Sequence, residues 1–223
     1  MHISYFSLIV ISLLLGLGTQ AYIRMTYNRW SKVPLGNGMS GRQMSRQMLD
    51  EAGLQDVPIQ NKGGADLSDY YDPRSNALYL SGGSDSGASV ASAAVACHEA
   101  GHAVQHARGY MPARLRMTLV PIVNFGEQAW MIVLLLGIVM NVTGLINLGI
   151  FLFAFVVLFE IVTLPVEFDA SRRATAYIKS VPGVSATEAA GARQVLVAAA
   201  LTYVAAALSS ILQLLYLLGQ RRD

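Results

Sequence analysis

Five consecutive residues, His98-Glu99-Ala100-Gly101-His102, combine types that can do chemistry with a spacing that lets them. They lie in an Ala-rich stretch, Ser89 to Arg108, that favours helix and meets a stop at Gly109. A four-residue spacing on a helix stacks both imidazoles on one face, where they can share one Zn²⁺. Glu99 then projects beside them as a general base able to take a proton from water. His106, one turn further on, would stretch coordination over two full turns, so it is expected beside the site or in solvent.

A hydrolytic zinc site needs a third protein ligand and an open position. Besides His106, the chain offers no other histidine than His2, so a carboxylate must serve. Glu167, Glu127 and Glu160 are the candidates in that order, each in or beside an apolar segment where a charge is costly and has a purpose. Cys97 adjoins the first histidine, but no free histidine is available to activate it, and it reads as a small buried side chain. Tyr79 and Tyr177 read as packing residues, either able to serve as a phenolic donor to an oxyanion.

The elements that must position these residues are set by a membrane. Of 223 residues, 53% are hydrophobic and only 13% charged, far below a soluble domain. Residues 1–23, 128–159 and 194–220 contain no Asp, Glu, Lys or Arg. Crossing a hydrocarbon core of about 30 Å takes about 20 helical residues, so these runs are long enough. Met117 to Phe168 is too long for one span and folds back at Asn141-Val142-Thr143-Gly144. The first segment lacks a basic stretch before its apolar run and reads as an uncleaved anchor. The expected organisation is an anchor at 1–23, a zinc-binding domain at 24–117, a transmembrane hairpin at 118–168, a segment at 169–193 and a last span at 194–220.

All of the 16 Lys and Arg except Arg221 and Arg222 fall on the side that holds 24–117 and 169–193. The positive-inside rule puts that side in the cytoplasm. Net charge is only +2 with cations and acids mixed, so no nucleic-acid surface is expected. The single cysteine excludes an intrachain disulfide.

Within the large loop, Ser40 with Gln43 forms a capping box, Met39 and Met44 a hydrophobic staple, and Gly53 a stop, which predicts a helix over 41–52. Asn76 to Ser81 reads as a strand, and the Gly/Ser-rich 82–89 as a mobile connector. Ser185-Ala186-Thr187-Glu188 reads as a second capping box, at the head of the last helix.

These residues resemble the bacterial YugP-type membrane zinc metallopeptidases. The likeness is carried by Leu67-Ser68-Asp69-Tyr70-Tyr71-Asp72-Pro73-Arg74, by His98 to Gln105, by Leu164 to Ala174, and by Ala198 to Ala207, and it covers nearly the whole chain. It implies a mainly α membrane protein of about four transmembrane helices, with a small zincin-like α+β catalytic domain between the first and second. It implies His98 and His102 as ligands of one catalytic Zn²⁺ and Glu99 as catalytic acid/base in a gluzincin-like site. The Glu167-Phe168-Asp169-Ala170-Ser171 run is similar to the Glu-x-x-x-Asp motif of HtpX-type and CAAX-prenyl proteases, which maps the third ligand onto Glu167. Ser171 stands where those relatives have Asp, so Ser171 or Asp169 must support a ligand instead. Arg173 and Tyr177 are further candidates for such support or for an oxyanion contact. Those relatives bind substrate backbone on a strand before the helix, which here is Ala77, Leu78, Tyr79 and Leu80.

The expected function is zinc-dependent endoproteolysis of unfolded or membrane-associated polypeptides, at the cytoplasmic face of a bacterial plasma membrane. Its expected partners are a polypeptide substrate and the bilayer, with no nucleic acid. Nothing in the sequence chooses between a regulatory membrane protein and a second copy as a further partner. The competing class is a non-catalytic scaffold with structural zinc, which would require four protein ligands, typically with Cys.

Overall fold

The computed structural model describes residues 4–220; His2, Arg221 and Arg222 lie outside the described residues. In chain order it has α1 (Tyr5–Trp30), α2 (Gly41–Glu51), β1 (Ile59–Asn61), β2 (Tyr70–Asp72), β3 (Ala77–Leu80), α3 (Gly82–Ser86), α4 (Val90–Ala107), α5 (Met111–Val139), α6 (Thr143–Ser180) and α7 (Ala186–Gly219). The helices α1, α5, α6 and α7 are each long and apolar enough to cross a membrane. The protein is mainly helical, with one small sheet. Two compact units divide the chain, and three of the long helices contribute to both.

One unit joins Thr19–Tyr110 to Val166–Leu201. Its core is built on α4, whose run of wholly buried small residues (Ala91, Ala93, Ala94, Cys97, Ala100) lets neighbours approach closely. Met44 and Leu49 of α2, Leu78 of β3 and Ile178 of α6 fill the space around it. The amphipathic α2 begins as its sequence dictates. Ser40 accepts from the Gln43 backbone N–H, and the Gln43 side chain accepts from the Ser40 backbone N–H at 2.8 Å. Gly41 is obligatory at that entrance, because a Cβ there would sit 2.1 Å from the Ser84 carbonyl oxygen. At the head of α7, Glu188 and Ser185 make the reciprocal bonds of a second capping box.

The sheet order is β1-β3-β2, with β1 parallel and β2 antiparallel to β3. Asp72 shapes the β2–β3 hairpin by accepting from the Arg74 and Ser75 backbone N–H groups, and Asn76 takes the left-handed conformation at φ 49°. This topology corrects the expectation that a peptide adds to β3. That strand is central, with both backbone edges paired and Ala77, Leu78 and Leu80 buried. The Gly/Ser stretch after it is no loose connector either. It forms α3, capped by Ser81, while the Asp69 carboxylate gathers the Ser81 N–H and the Ser84 hydroxyl.

The second unit joins residues up to Gly18, Met111–Pro165 and Thr202 onward. Here α5 and α6 form a hairpin that turns at Asn141, φ 54°. Glycine permits their contact: a Cβ on Gly137 would lie 2.6 Å from the Ile146 nitrogen, and one on Gly149 2.9 Å from the Leu134 Cα. Val123 and Phe153 centre a cluster that Ile211 and Leu214 of α7 cover.

Candidate metal centre

Helix α4 runs unbroken through both histidines, capped by the Ser89 side chain at its start and ending before Gly109, φ 62°. At Gly101 a Cβ would lie 2.9 Å from the Ala170 carbonyl oxygen and 3.2 Å from its Cα. The backbones of α4 and α6 therefore touch between the two histidines. That contact brings Glu167, one turn before Ala170, over the imidazole face.

The three side chains meet through single atoms. His98 Nε2 lies 3.1 Å from His102 Nε2 and 3.2 Å from Glu167 Oε2, and the His102 Nε2 to Glu167 Oε2 distance is 3.6 Å. Among the described residues this is the one His/Cys/Asp/Glu group arranged to hold a metal ion. Glu127 and Glu160 do not belong to it; Glu127 is exposed on α5 and Glu160 half-buried on α6. For ligand bonds of about 2.0–2.1 Å, a tetrahedral ion requires ligand atoms about 3.3 Å apart. The observed triangle has that size, and its two nitrogens and one oxygen are a donor set zinc accepts.

The far side of each imidazole fixes which nitrogen faces the centre. Gln105 is 1% exposed, and its Nε2 donates to the Val166 carbonyl at 2.8 Å and to Asp169 Oδ2 at 3.0 Å. Both amide protons are thereby committed, so Oε1 faces His102 Nδ1 at 3.1 Å as an acceptor. His102 must carry its proton on Nδ1 and present a lone pair at Nε2. Ser171 Oγ stands 3.2 Å from His98 Nδ1, where the hydroxyl can accept the ring N–H while Nε2 faces the centre. Of the two residues expected to support a ligand, Ser171 stands beside His98 and Asp169 reaches His102 through Gln105. Arg173 Nε donates to Asp169 Oδ2 at 2.6 Å and Arg172 donates to Oδ1, so these cations hold that carboxylate in place.

Charge at the centre is arranged for a cation. Burial works against a charged His102, but the Glu167 carboxylate, with Glu99 and Gln105 behind it, outweighs burial and raises its pKa. Glu99 is 8% exposed and accepts the Tyr71 backbone N–H at Oε2, 2.9 Å away. Glu99 is thus held by the outer edge of β2. The Tyr71 hydroxyl reaches back to α4, lying 2.5 Å from His106 Nδ1 and 2.6 Å from Asn76 Oδ1. Burial first, and Asp72 second, push that phenol up to about 12, so it keeps its proton at neutral pH.

Other expected positions take different roles. His106 sits beside the site as Tyr71's partner. Cys97 is wholly buried, and burial raises its thiol, which suits packing and not nucleophilic attack. Tyr177 is buried in the core, and its hydroxyl has no hydrogen-bond partner among the described residues. Tyr79 stacks on Tyr70 along the hairpin, ring centroids 4.9 Å apart. Gln105 and Tyr71 were not singled out from sequence. Gln105 had a signal, since it falls one turn beyond His102; Tyr71 is brought to α4 by a long-range contact that no local pattern shows.

Residues 5–222 match the protein family described as "Putative neutral zinc metallopeptidase", and the chain belongs to that family. It is also 40% identical over 208 residues to "Putative membrane protease YugP" of Bacillus subtilis (strain 168), covering 93% of this chain and 92% of that protein. The resemblance read from the motifs is therefore borne out at family level. No solved structure matches.

Proposed function

We propose that this chain is a zinc-dependent endopeptidase acting on unfolded or membrane-associated polypeptides. The observation that carries the reading is the triangle of His98 Nε2, His102 Nε2 and Glu167 Oε2, with edges of 3.1, 3.2 and 3.6 Å. These three residues would hold the ion, and three protein ligands leave a fourth position for water or substrate, as in a gluzincin site. Bound zinc would polarise a scissile carbonyl and make a coordinated water acidic near neutral pH.

The chain's own residues supply the remainder. Glu99 Oε2 is held by the Tyr71 N–H, which leaves Oε1 to take a proton from water and return it to the leaving amine. Gln105 keeps His102 in the tautomer whose Nε2 lone pair faces the centre, and Ser171 offers His98 Nδ1 a hydrogen-bond partner on its far side. The outer edge of β2 is the strand edge nearest the base. Its outward Tyr71 N–H is already taken by Glu99, so β2 positions this carboxylate rather than receiving a peptide strand. The excess of cations on the segments that carry the site supports a cytoplasmic position.

Activity should follow the metal. Chelation of the purified protein should abolish cleavage of unfolded casein, and stoichiometric zinc should restore it. Cleavage that survives complete removal of zinc would refute the reading.

A further inference from the structure

The outer face of α5 carries a pattern that the peptidase reading does not use. Asn124, Gln128, Met131, Leu135 and Ile138 follow one another at alternating spacings of four and three residues, and all five are exposed. That alternation is the seam of a left-handed helix pair, in which the same stripe faces the partner over several turns. The buried residues of α5, Leu119, Val123, Gly126, Leu134 and Gly137, lie on a different face.

Two members of the seam are amides, and both fall inside the apolar span. Counting back about 20 residues from Val139, the length that fills a hydrocarbon core, places both within the span. Neither Asn124 nor Gln128 has a hydrogen-bond partner among the described residues. Polar side chains facing lipid are costly, whereas amides that meet across a helix pair bond to each other.

The chemistry of the seam selects the partner. Two copies in one membrane share an orientation, so their α5 helices run parallel and each seam layer meets itself. An amide carries both donor and acceptor and can pair with its own kind; a carboxylate cannot. The seam positions hold Asn124 and Gln128, while the acid, Glu127, is set to one side. No Lys or Arg occurs in residues 128–159 or 194–220, so the copies bring no buried cation to disturb the match.

We infer that α5 is a self-association surface, through which two copies pair in parallel with Asn124 against Asn124 and Gln128 against Gln128. The inference is independent of the peptidase reading.

Single cysteines test it in isolated membranes containing the full chain, with wild type as control for the buried Cys97. Oxidation should give a product of twice the monomer mass with Met131→Cys and Leu135→Cys. It should give little with Phe125→Cys and Leu136→Cys, which are exposed on other faces of the same helix. Adding Asn124→Leu and Gln128→Leu to Met131→Cys should cut the yield about tenfold, as expected for losing amide pairs worth 1–2 kcal/mol in a membrane. Wild-type levels of the chain in the membranes and an unchanged pattern of limited proteolysis would show that the variants fold. Overturning results are no cross-link at the seam, equal cross-linking on all faces, a product of another mass, or indifference to loss of the amides.

Discussion

Gln105 has its two amide protons taken by Val166 and Asp169, and this decides what His102 can do. With Oε1 forced toward Nδ1, the imidazole cannot adopt the other tautomer without an acceptor facing an acceptor. Gln105→Leu should therefore lower zinc affinity by roughly 10–100-fold, the usual effect of losing such a support. Competition against a zinc-binding dye checks this, and an unchanged affinity would show that the ring is oriented by other means. The two histidines and Glu99 were legible in the sequence because they occupy one helical turn. Glu167 lies 65 or more positions away and was reached only by ranking carboxylates and by resemblance. Its selection in the structure rests on backbone contact between two helices.

At the scale of elements, that contact is made at Gly101. The residue lies inside the zinc motif, yet its job is steric: any Cβ would press on Ala170 backbone, which cannot rotate away as a side chain could. Gly101→Ala should force α6 outward and cost about 1–3 kcal/mol as overpacking does, while displacing Glu167 from the histidines. Zinc content should fall more sharply than thermal stability; full zinc loading with an unchanged melting temperature would contradict the packing account. The capped helices were readable because caps, glycine stops and turn residues act locally, and Ser40, Gln43, Ser185 and Glu188 form their predicted bonds. The sheet was less so. β1 and β2 are three residues each, too short for alternation to register, and their pairing with β3 is non-local. Missing them left β3 looking like an edge when it is the centre.

For the whole molecule, the scarcity of charge marked the long apolar helices, and the side on which the charge gathers predicts orientation. Gln55 is exposed in the segment between α1 and α5. In whole cells, Gln55→Cys should resist a membrane-impermeant maleimide and react after permeabilisation; reaction in intact cells would reverse the orientation. Sequence alone did not show that the compact unit holding the site draws on residues 166–201 as well as on the loop. A contiguous domain could not have supplied Glu167. The candidate ligand set is instead completed by a helix that also has the apolar length of a membrane span.

The central claim is that the triangle holds zinc for hydrolysis and not as a structural clamp. Parallel measurement of zinc content and casein cleavage in wild type and Glu99→Gln tests it most directly. Glu99 is outside the ligand triangle, so the variant should keep one zinc per chain while cleavage falls by about 10²-fold or more, the scale of a lost general base. Equal cleavage by both proteins, or zinc-loaded wild type that cleaves nothing, would contradict the account.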